Sequence, residues 1–212
     1  MSLKDTVVQR INDAVKSGEL KAGQQLTELG LAHKLGVGQP TIREALIELE
    51  FMGMVEQVGK RKTRITLLTR RAIDEIYVVR TTLETLAAEL VARQKDPDLS
   101  VCRTRLEQME DAAHRQAYQE FFQADLEFHR ALWRATQNRS LEEVLERLVP
   151  KLFAFGIIQH ARPSAEELIA MANLHRQLLE LLPTGDVAAT RRLMDLSMGK
   201  AWLDDAQLPE RS

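Results

Sequence analysis

Residues 26–67 read LTELGLAHKLGVGQPTIREALIELEFMGMVEQVGKRKTRITL. Thr27 offers a side-chain oxygen to cap a helix running to about Leu35, with Leu31, Ala32 and Leu35 on one face. Gly36 ends that helix, and Val37 falls where two paired helices would pack. Pro40 suits the first turn of a second helix, where its missing N–H would have no partner anyway. Ile42, Ala45, Leu46 and Leu49 then fall at helical spacing on an inward face, leaving Gln39, Thr41, Arg43 and Ile47 outward. Gly53 closes this helix. Met54 to Val58 and Thr63 to Leu67 are short strands flanking a basic turn, Gly59-Lys60-Arg61-Lys62. Two helices followed by a cationic hairpin are the order of a winged helix-turn-helix.

The pattern points to a reader of double-stranded DNA. A recognition helix inserts its N-terminal residues into a major groove, so Gln39, Thr41 and Arg43 are the candidate base or phosphate contacts. Gln can pair bidentately with adenine and Arg with guanine. Gly59, Lys60, Arg61, Lys62 and Arg64 form the candidate wing contact to the DNA backbone.

Charge placement supports this more than total charge. The chain carries −2 with pI ≈ 6.2, so it is not a generally basic nucleic-acid coat. Residues 1–68 hold ten Lys/Arg against eight Asp/Glu, and residues 69–212 hold nineteen against twenty-three. Between Glu56 and Asp74 stand Lys60, Arg61, Lys62, Arg64, Arg70 and Arg71 with no acidic residue. Such a patch can neutralise phosphates in a salt-dependent way, although charge runs are often only solvated faces.

With 212 residues and 44% hydrophobic content, the chain can bury one or two cores. The single cysteine, Cys102, excludes an internal disulfide and suits a reducing cytosol, where a buried thiol is its plainest role. No leader pattern opens the chain and no apolar run approaches membrane-spanning length. A cytoplasmic location without membrane contact is therefore expected.

Residues 4–17 form an amphipathic helix, with Val7, Val8, Ile11 and Val15 on its stripe, that should be the first of three helices in the head. A boundary near 68–69 separates a DNA-binding domain, 1–68, from a second domain, 69–212. Thr69 can cap a long helix reaching about Gln94. Breaks follow at Pro97, 114–116, 138–140, 162–163 and 183–185. Ser164 with Glu167 makes a capping box, and Pro150 kinks or splits an apolar helix. The fold class is mainly α: a winged helix-turn-helix of three helices and a small β-hairpin, then an antiparallel bundle of about six helices.

That bundle has polar residues on core-facing stripes. Asp125 and His129 lie one turn apart among Tyr118, Phe121, Phe122 and Leu132. His175 lies among Leu168, Met171, Ala172 and Leu178, Ser197 follows Ala189 and Leu193, and Arg80 follows Ile73, Ile76 and Tyr77. Unpaired buried charge is costly, so these groups must meet each other, a metal, an anion or water. Asp125, His129 and His175 form a reasonable divalent-metal set, although a lone Asp–His pair is usually a helix-surface ion pair and a lone core His usually hydrogen-bonded and inert. Arg80 with Glu84 is either a structural salt bridge or an anion anchor. A rival reading makes Asp125, His129 and His175 the centre of a metal-dependent hydrolase, though no accompanying general base is evident.

GELKAGQQLTELGLAHKLGV (18–37) and TIREALIELEFMGMV (41–55) resemble the winged helix of GntR-type bacterial transcription regulators. YVVRTTLETLAAELVA (77–92), DLEFHRALWRATQNRSL (125–141) and NLHRQLLELLPTGDVAAT (173–190) resemble the helical ligand domain of its FadR/FCD branch, and the short bundle is similar to the VanR-like subgroup. The resemblance implies a homodimeric regulator, more often a repressor, on a roughly palindromic DNA operator, controlled by a small effector, often a carboxylate. It implies one divalent metal (Zn, Ni or Mn) on Asp125, His129 and His175. The family's fourth ligand, a His, aligns with Ser197, leaving either water, effector oxygen or His160 to complete the set, or a site that binds no metal. Arg80, Asp125, His129, His175 and Ser197 would line the effector chamber. Where the family has Ser-Arg-Thr before the recognition helix this chain has Gly38-Gln39-Pro40, so its operator should differ. Arg43 matches the family's second arginine.

Overall fold

The computed structural model describes residues 2–58, 62–158 and 163–197. In chain order the elements are α1 (Leu3–Lys16), β1 (Gln25–Leu26), α2 (Glu28–Leu35), α3 (Gln39–Phe51), β2 (Val55–Val58), β3 (Lys62–Ile65), α4 (Arg70–Ala92), α5 (Ser100–His114), α6 (Tyr118–Ala135), α7 (Arg139–Leu148), α8 (Pro150–Ile158), α9 (Ala165–Leu181) and α10 (Val187–Ser197). A 3-10 turn, Leu182–Thr184, joins the last two helices. The mainly helical class, with a winged helix-turn-helix first and helices after, is as expected. The described residues fall into two compact units, 2–70 with 150–158 and 71–149 with 163–197.

In the first unit the expected local chemistry is in place. A cap that the sequence reading did not single out begins α1, where Ser2 and Asp5 form a reciprocal capping box. The Thr27 hydroxyl accepts the Gly30 N–H at 3.1 Å, and Gly36 closes α2 in the left-handed region, φ 68°. Pro40 sits in the first turn of α3. Val7, Ile11 and Val15 of α1 pack with Leu31, Ile42, Ala45, Leu49, Val55 and Ile65 in one core. The hairpin β2–β3 is antiparallel, with Val55 opposite Ile65 and Glu56 opposite Arg64. A third strand was not anticipated: β1 pairs Gln25 with Arg64 and Leu26 with Thr63, giving sheet order β1-β3-β2. Two residues are too few to show alternation in a sequence.

The division of the chain also departs from a cut at 68–69. Arg70 groups with the first unit, and so does α8. Ala154 and Ile158 complete the core around α1 and α3, and Lys151 Nζ lies 4.0 Å from Glu56. A Cβ on Gly53, whose φ is +75°, would lie 2.5 Å from the backbone carbon of Pro150. The physical reason is in PKLFAFGII itself. This helix buries Leu152, Phe153, Ala154, Phe155 and Ile158, so it has no polar face to distinguish one neighbour from another.

In the second unit the described helices are α4, α5, α6, α7, α9 and α10, matching the expected count of about six. Asn138 caps α7 by accepting the Leu141 N–H at 3.1 Å, and Ser164 with Glu167 caps α9. Pro150 splits an apolar run, since α7 ends at Leu148 and α8 begins at the proline. Phe121, Phe122, Phe128, Leu132 and Trp133 of α6 are all fully buried. Cys102 is buried, and burial pushes its thiol up to about 12.

Candidate functional site

The DNA-reading candidates lie on α3 and the hairpin. Gln39 and Arg43 are exposed on α3 and Thr41 is half-buried. Arg43 is gripped by a carboxylate that sequence reasoning missed: its Nε donates to Glu28 Oε1 at 3.0 Å and its Nη2 to Glu28 Oε2 at 2.8 Å. The same hydrogen bonds hold the Glu28 carboxyl below its ordinary value. A glutamate that opens α2, fifteen residues earlier, gives no periodic signal of this pairing. On the hairpin Lys62 is exposed, whereas Arg64 is partly buried and donates from Nε to its cross-strand neighbour Glu56 at 2.8 Å. Gly59, Lys60 and Arg61 lie outside the described residues, as does His160.

The polar groups on the inward stripes converge in the second unit. Asp125 and His129 of α6 are buried, not on a helix surface, and His175 of α9 is partly buried. Asp125 Oδ1 lies 3.0 Å from His175 Nε2 and 3.4 Å from His129 Nε2, and the two Nε2 atoms lie 3.4 Å apart. On their far sides, His175 Nδ1 lies 2.8 Å from the Met171 carbonyl oxygen and His129 Nδ1 lies 2.7 Å from Glu84 Oε2 of α4. Acceptors at both Nδ1 positions fix the rings with Nε2 turned toward Asp125.

This set fits a divalent cation. One ligand atom from each of the three side chains lies within 4.8 Å of the others. Ligand bonds of about 2.0–2.2 Å place neighbouring donors around one ion roughly 3–3.5 Å apart, which is the spacing of these atoms. The outer acceptors, a carboxylate and a carbonyl, are the partners that ligating histidines characteristically have. Ser197 is partly buried near the end of α10, and its hydroxyl donates to the Met194 carbonyl at 3.2 Å.

Arg80 joins the cluster from α4. Its Nε donates to Glu84 Oε1 at 3.0 Å, its Nη2 lies 3.4 Å from His129 Nε2, and its guanidinium lies 5.6 Å from the Tyr77 ring centroid. Glu84 therefore bridges Arg80 and His129, a role sequence reasoning did not assign to it. The signal was present: Glu84 sits one turn beyond Arg80 on the same inward stripe. Burial works against ionising Glu84, yet Arg80 and His129 hold its carboxyl down to about 2. Asp125 is likewise lowered, burial being outweighed by His175 and His129. Burial opposes protonation of His129, but Glu84 and Asp125 outweigh it and raise the imidazole to about 9.

Comparison with known proteins places both units in one family. The family described as bacterial regulatory proteins, gntR family, matches residues 3–65, and the FCD domain matches residues 75–199. This chain belongs to the GntR family, in the group with an FCD domain. The GntR-family winged helix is thus the first unit's three helices and sheet, and the FCD match contains Arg80, Glu84, Asp125, His129 and His175. The HTH-type transcriptional regulator YdhC of Bacillus subtilis is 31% identical over 173 residues, 81% of this chain and 76% of that protein. The gluconate operon transcriptional repressor of the same organism is 27% identical, covering 95% of this chain and 82% of its own. Among solved structures, E. coli McbR/YncC shares the fold with a TM-score of 0.69 at 24% identity, covering 93% of this chain and 94% of that one. No helix among the described residues is long and apolar enough to cross a membrane.

Proposed function

We propose that this GntR-family protein is a repressor that binds a DNA operator as a homodimer and is released by a small carboxylate effector held in the FCD unit. One observation carries the effector reading. A cationic group, Arg80, and a compact donor set, Asp125, His129 and His175, meet in the interior of one helical unit. A purely structural bundle has little use for so many buried ionisable groups, whose desolvation hydrophobic side chains would avoid. Asp125, His129 and His175 would hold the cation, with Glu84 and the Met171 carbonyl orienting the rings. Bound there, a divalent cation supplies a Lewis-acidic centre for a carboxylate oxygen. Arg80 would hold the anionic end of the effector, and Ser197 would line the same chamber.

Gln39, Thr41 and Arg43 would meet base edges, with Lys60, Arg61, Lys62 and Arg64 toward the backbone. Glu56 already engages Arg64, so Lys62 is the better wing contact among the described residues. Dimerisation is supported by the apolar strip on α4, where Val78 is 71% exposed and Val79 and Leu86 are exposed beside it. The chain itself supplies a route for control. Val149 caps α7 of the second unit, and the next residue, Pro150, opens α8, which groups with the first unit. The six bundle helices among the described residues also support a place in the VanR-like subgroup.

The hydrolase alternative is weaker, because Glu84, the carboxylate beside the trio, is committed to Arg80 and His129. Operator affinity measured across a panel of small carboxylates, with and without added Zn, Ni or Mn, tests the proposal. It expects one carboxylate class to weaken operator binding at least tenfold in wild type and not in Arg80→Ala. Operator affinity indifferent to every such ligand and metal would contradict it.

A further inference from the structure

We infer that Glu28 is a specificity-determining residue of the DNA-reading face, its carboxylate holding Arg43 by one edge so that the other edge alone is offered to a duplex. The inference rests on the DNA-reading role proposed above.

Both residues are set by the framework, not by loops. Glu28 opens α2 directly behind the Thr27 cap, and Arg43 lies in α3 between the fully buried Ile42 and the fully buried Ala45. Their contact is fork to fork, Nε to Oε1 at 3.0 Å and Nη2 to Oε2 at 2.8 Å. The two side chains are 63% and 35% exposed, and ion pairs so open to water contribute little to stability. Two helices already joined through Leu31, Ile42 and Ala45 do not depend on it. A bidentate grip fixes orientation instead. Guanidinium carries five N–H donors, and Glu28 occupies the Nε–Nη2 edge. The Nη1–Nη2 edge keeps the spacing that matches guanine O6 and N7.

The pair also changes what Arg43 does to phosphates. Lone arginine releases counterions from any duplex and so raises affinity without regard to sequence. Paired with Glu28 it is close to neutral, and a carboxylate beside the groove repels a misplaced backbone. Glu44 and Glu50 are exposed on the same helix, which lowers its indiscriminate attraction further. Discrimination then depends on what the oriented edge meets.

The test uses the full-length protein. Wild type is first used to select its preferred duplex from a random pool. Wild type, Glu28→Gln and Glu28→Asp are then titrated with that duplex and with a scrambled one across a salt series, and thermal unfolding confirms the fold. Glu28→Gln is expected to bind the scrambled duplex about three- to tenfold more tightly and to steepen the salt slope by about one unit. Its preference for the selected duplex should fall about tenfold, with relaxed choice at the base that Arg43→Ala also relaxes. Glu28→Asp keeps the charge but shortens the reach, so it should keep the wild-type salt slope and lose part of the preference. Equal shifts on both duplexes with an unchanged slope would make the pair merely structural and overturn the inference. An unchanged preference in both variants would overturn it as well. Wild type that selects no duplex would remove the DNA-reading role itself, a failure distinct from the other two.

Discussion

His129 is gripped from two sides by carboxylates, with Nδ1 2.7 Å from Glu84 Oε2 and Nε2 3.4 Å from Asp125 Oδ1. In the metal-free protein this favours the imidazolium, and the pH dependence of stability follows. His129 is raised from 6.5 to about 9, so its contribution is complete below 6.5 and is lost as pH rises through about 9. Glu84 is lowered from 4.5 to about 2, so its contribution is present above 4.5 and is lost as pH falls toward 2. With chelator present, the melting temperature should peak between about pH 4.5 and 6.5 and fall on either side. His129→Asn should flatten the alkaline fall, and a fall of wild-type size in that variant would remove His129 from this role.

A bound cation needs the neutral ring, so Glu84 should matter to metal affinity without ligating. Glu84→Gln is expected to weaken Zn binding roughly 10–100-fold by calorimetric titration, the usual effect of losing an orienting partner. Asp125→Ala, which removes a donor at the centre of the set, should abolish measurable binding. Wild-type affinity in Glu84→Gln would remove its orienting role, and wild-type affinity in Asp125→Ala would show that these three residues do not hold a cation.

Gly53 makes the contact that admits α8 to the first unit. Its φ of +75° and a Cβ position 2.5 Å from the Pro150 backbone carbon combine two penalties at one residue. Gly53→Ala should destabilise the protein by at least about 1–3 kcal/mol in chemical denaturation. A change within about 0.5 kcal/mol would mean that α8 can move away at little cost.

Ile158 tests the same packing from the other end of α8. It is 5% exposed within the core that holds α1 and α3. Ile158→Ala should cost roughly 2–5 kcal/mol, read from the transition that unfolds the DNA-reading unit. A loss confined to the FCD unit would contradict the packing.

The parts of the fold that were legible in sequence are those with local causes. Thr27, Gly36, Pro40 and Ser164 mark helix ends by chemistry confined to one turn, and each marks one in the structure. The inward stripes of α6 and α9 are likewise local, so Asp125, His129 and His175 could be named together. What escaped depends on distant partners. The apolar face of PKLFAFGII runs all the way round, and nothing in it chooses between two cores. Glu28 reads as an ordinary helix acid, because its role comes from Arg43 fifteen residues on, and Glu84 reads as a partner of Arg80 alone, because its second contact is His129 on another helix. Strand β1 is stabilised by pairing with β3 across about forty residues of chain, not by its own two side chains.

The most direct measurement is selection from random duplexes by wild type and by Arg43→Ala, with affinities followed over a salt series. Wild type should enrich one roughly palindromic sequence and lose affinity steeply as salt rises. Arg43→Ala should cost about 1–3 kcal/mol and relax the preference at one base position in each half-site. A protein that binds no duplex even in dilute salt, or whose selected sequence and affinity are unaltered by Arg43→Ala, would contradict the DNA-reading assignment of α3.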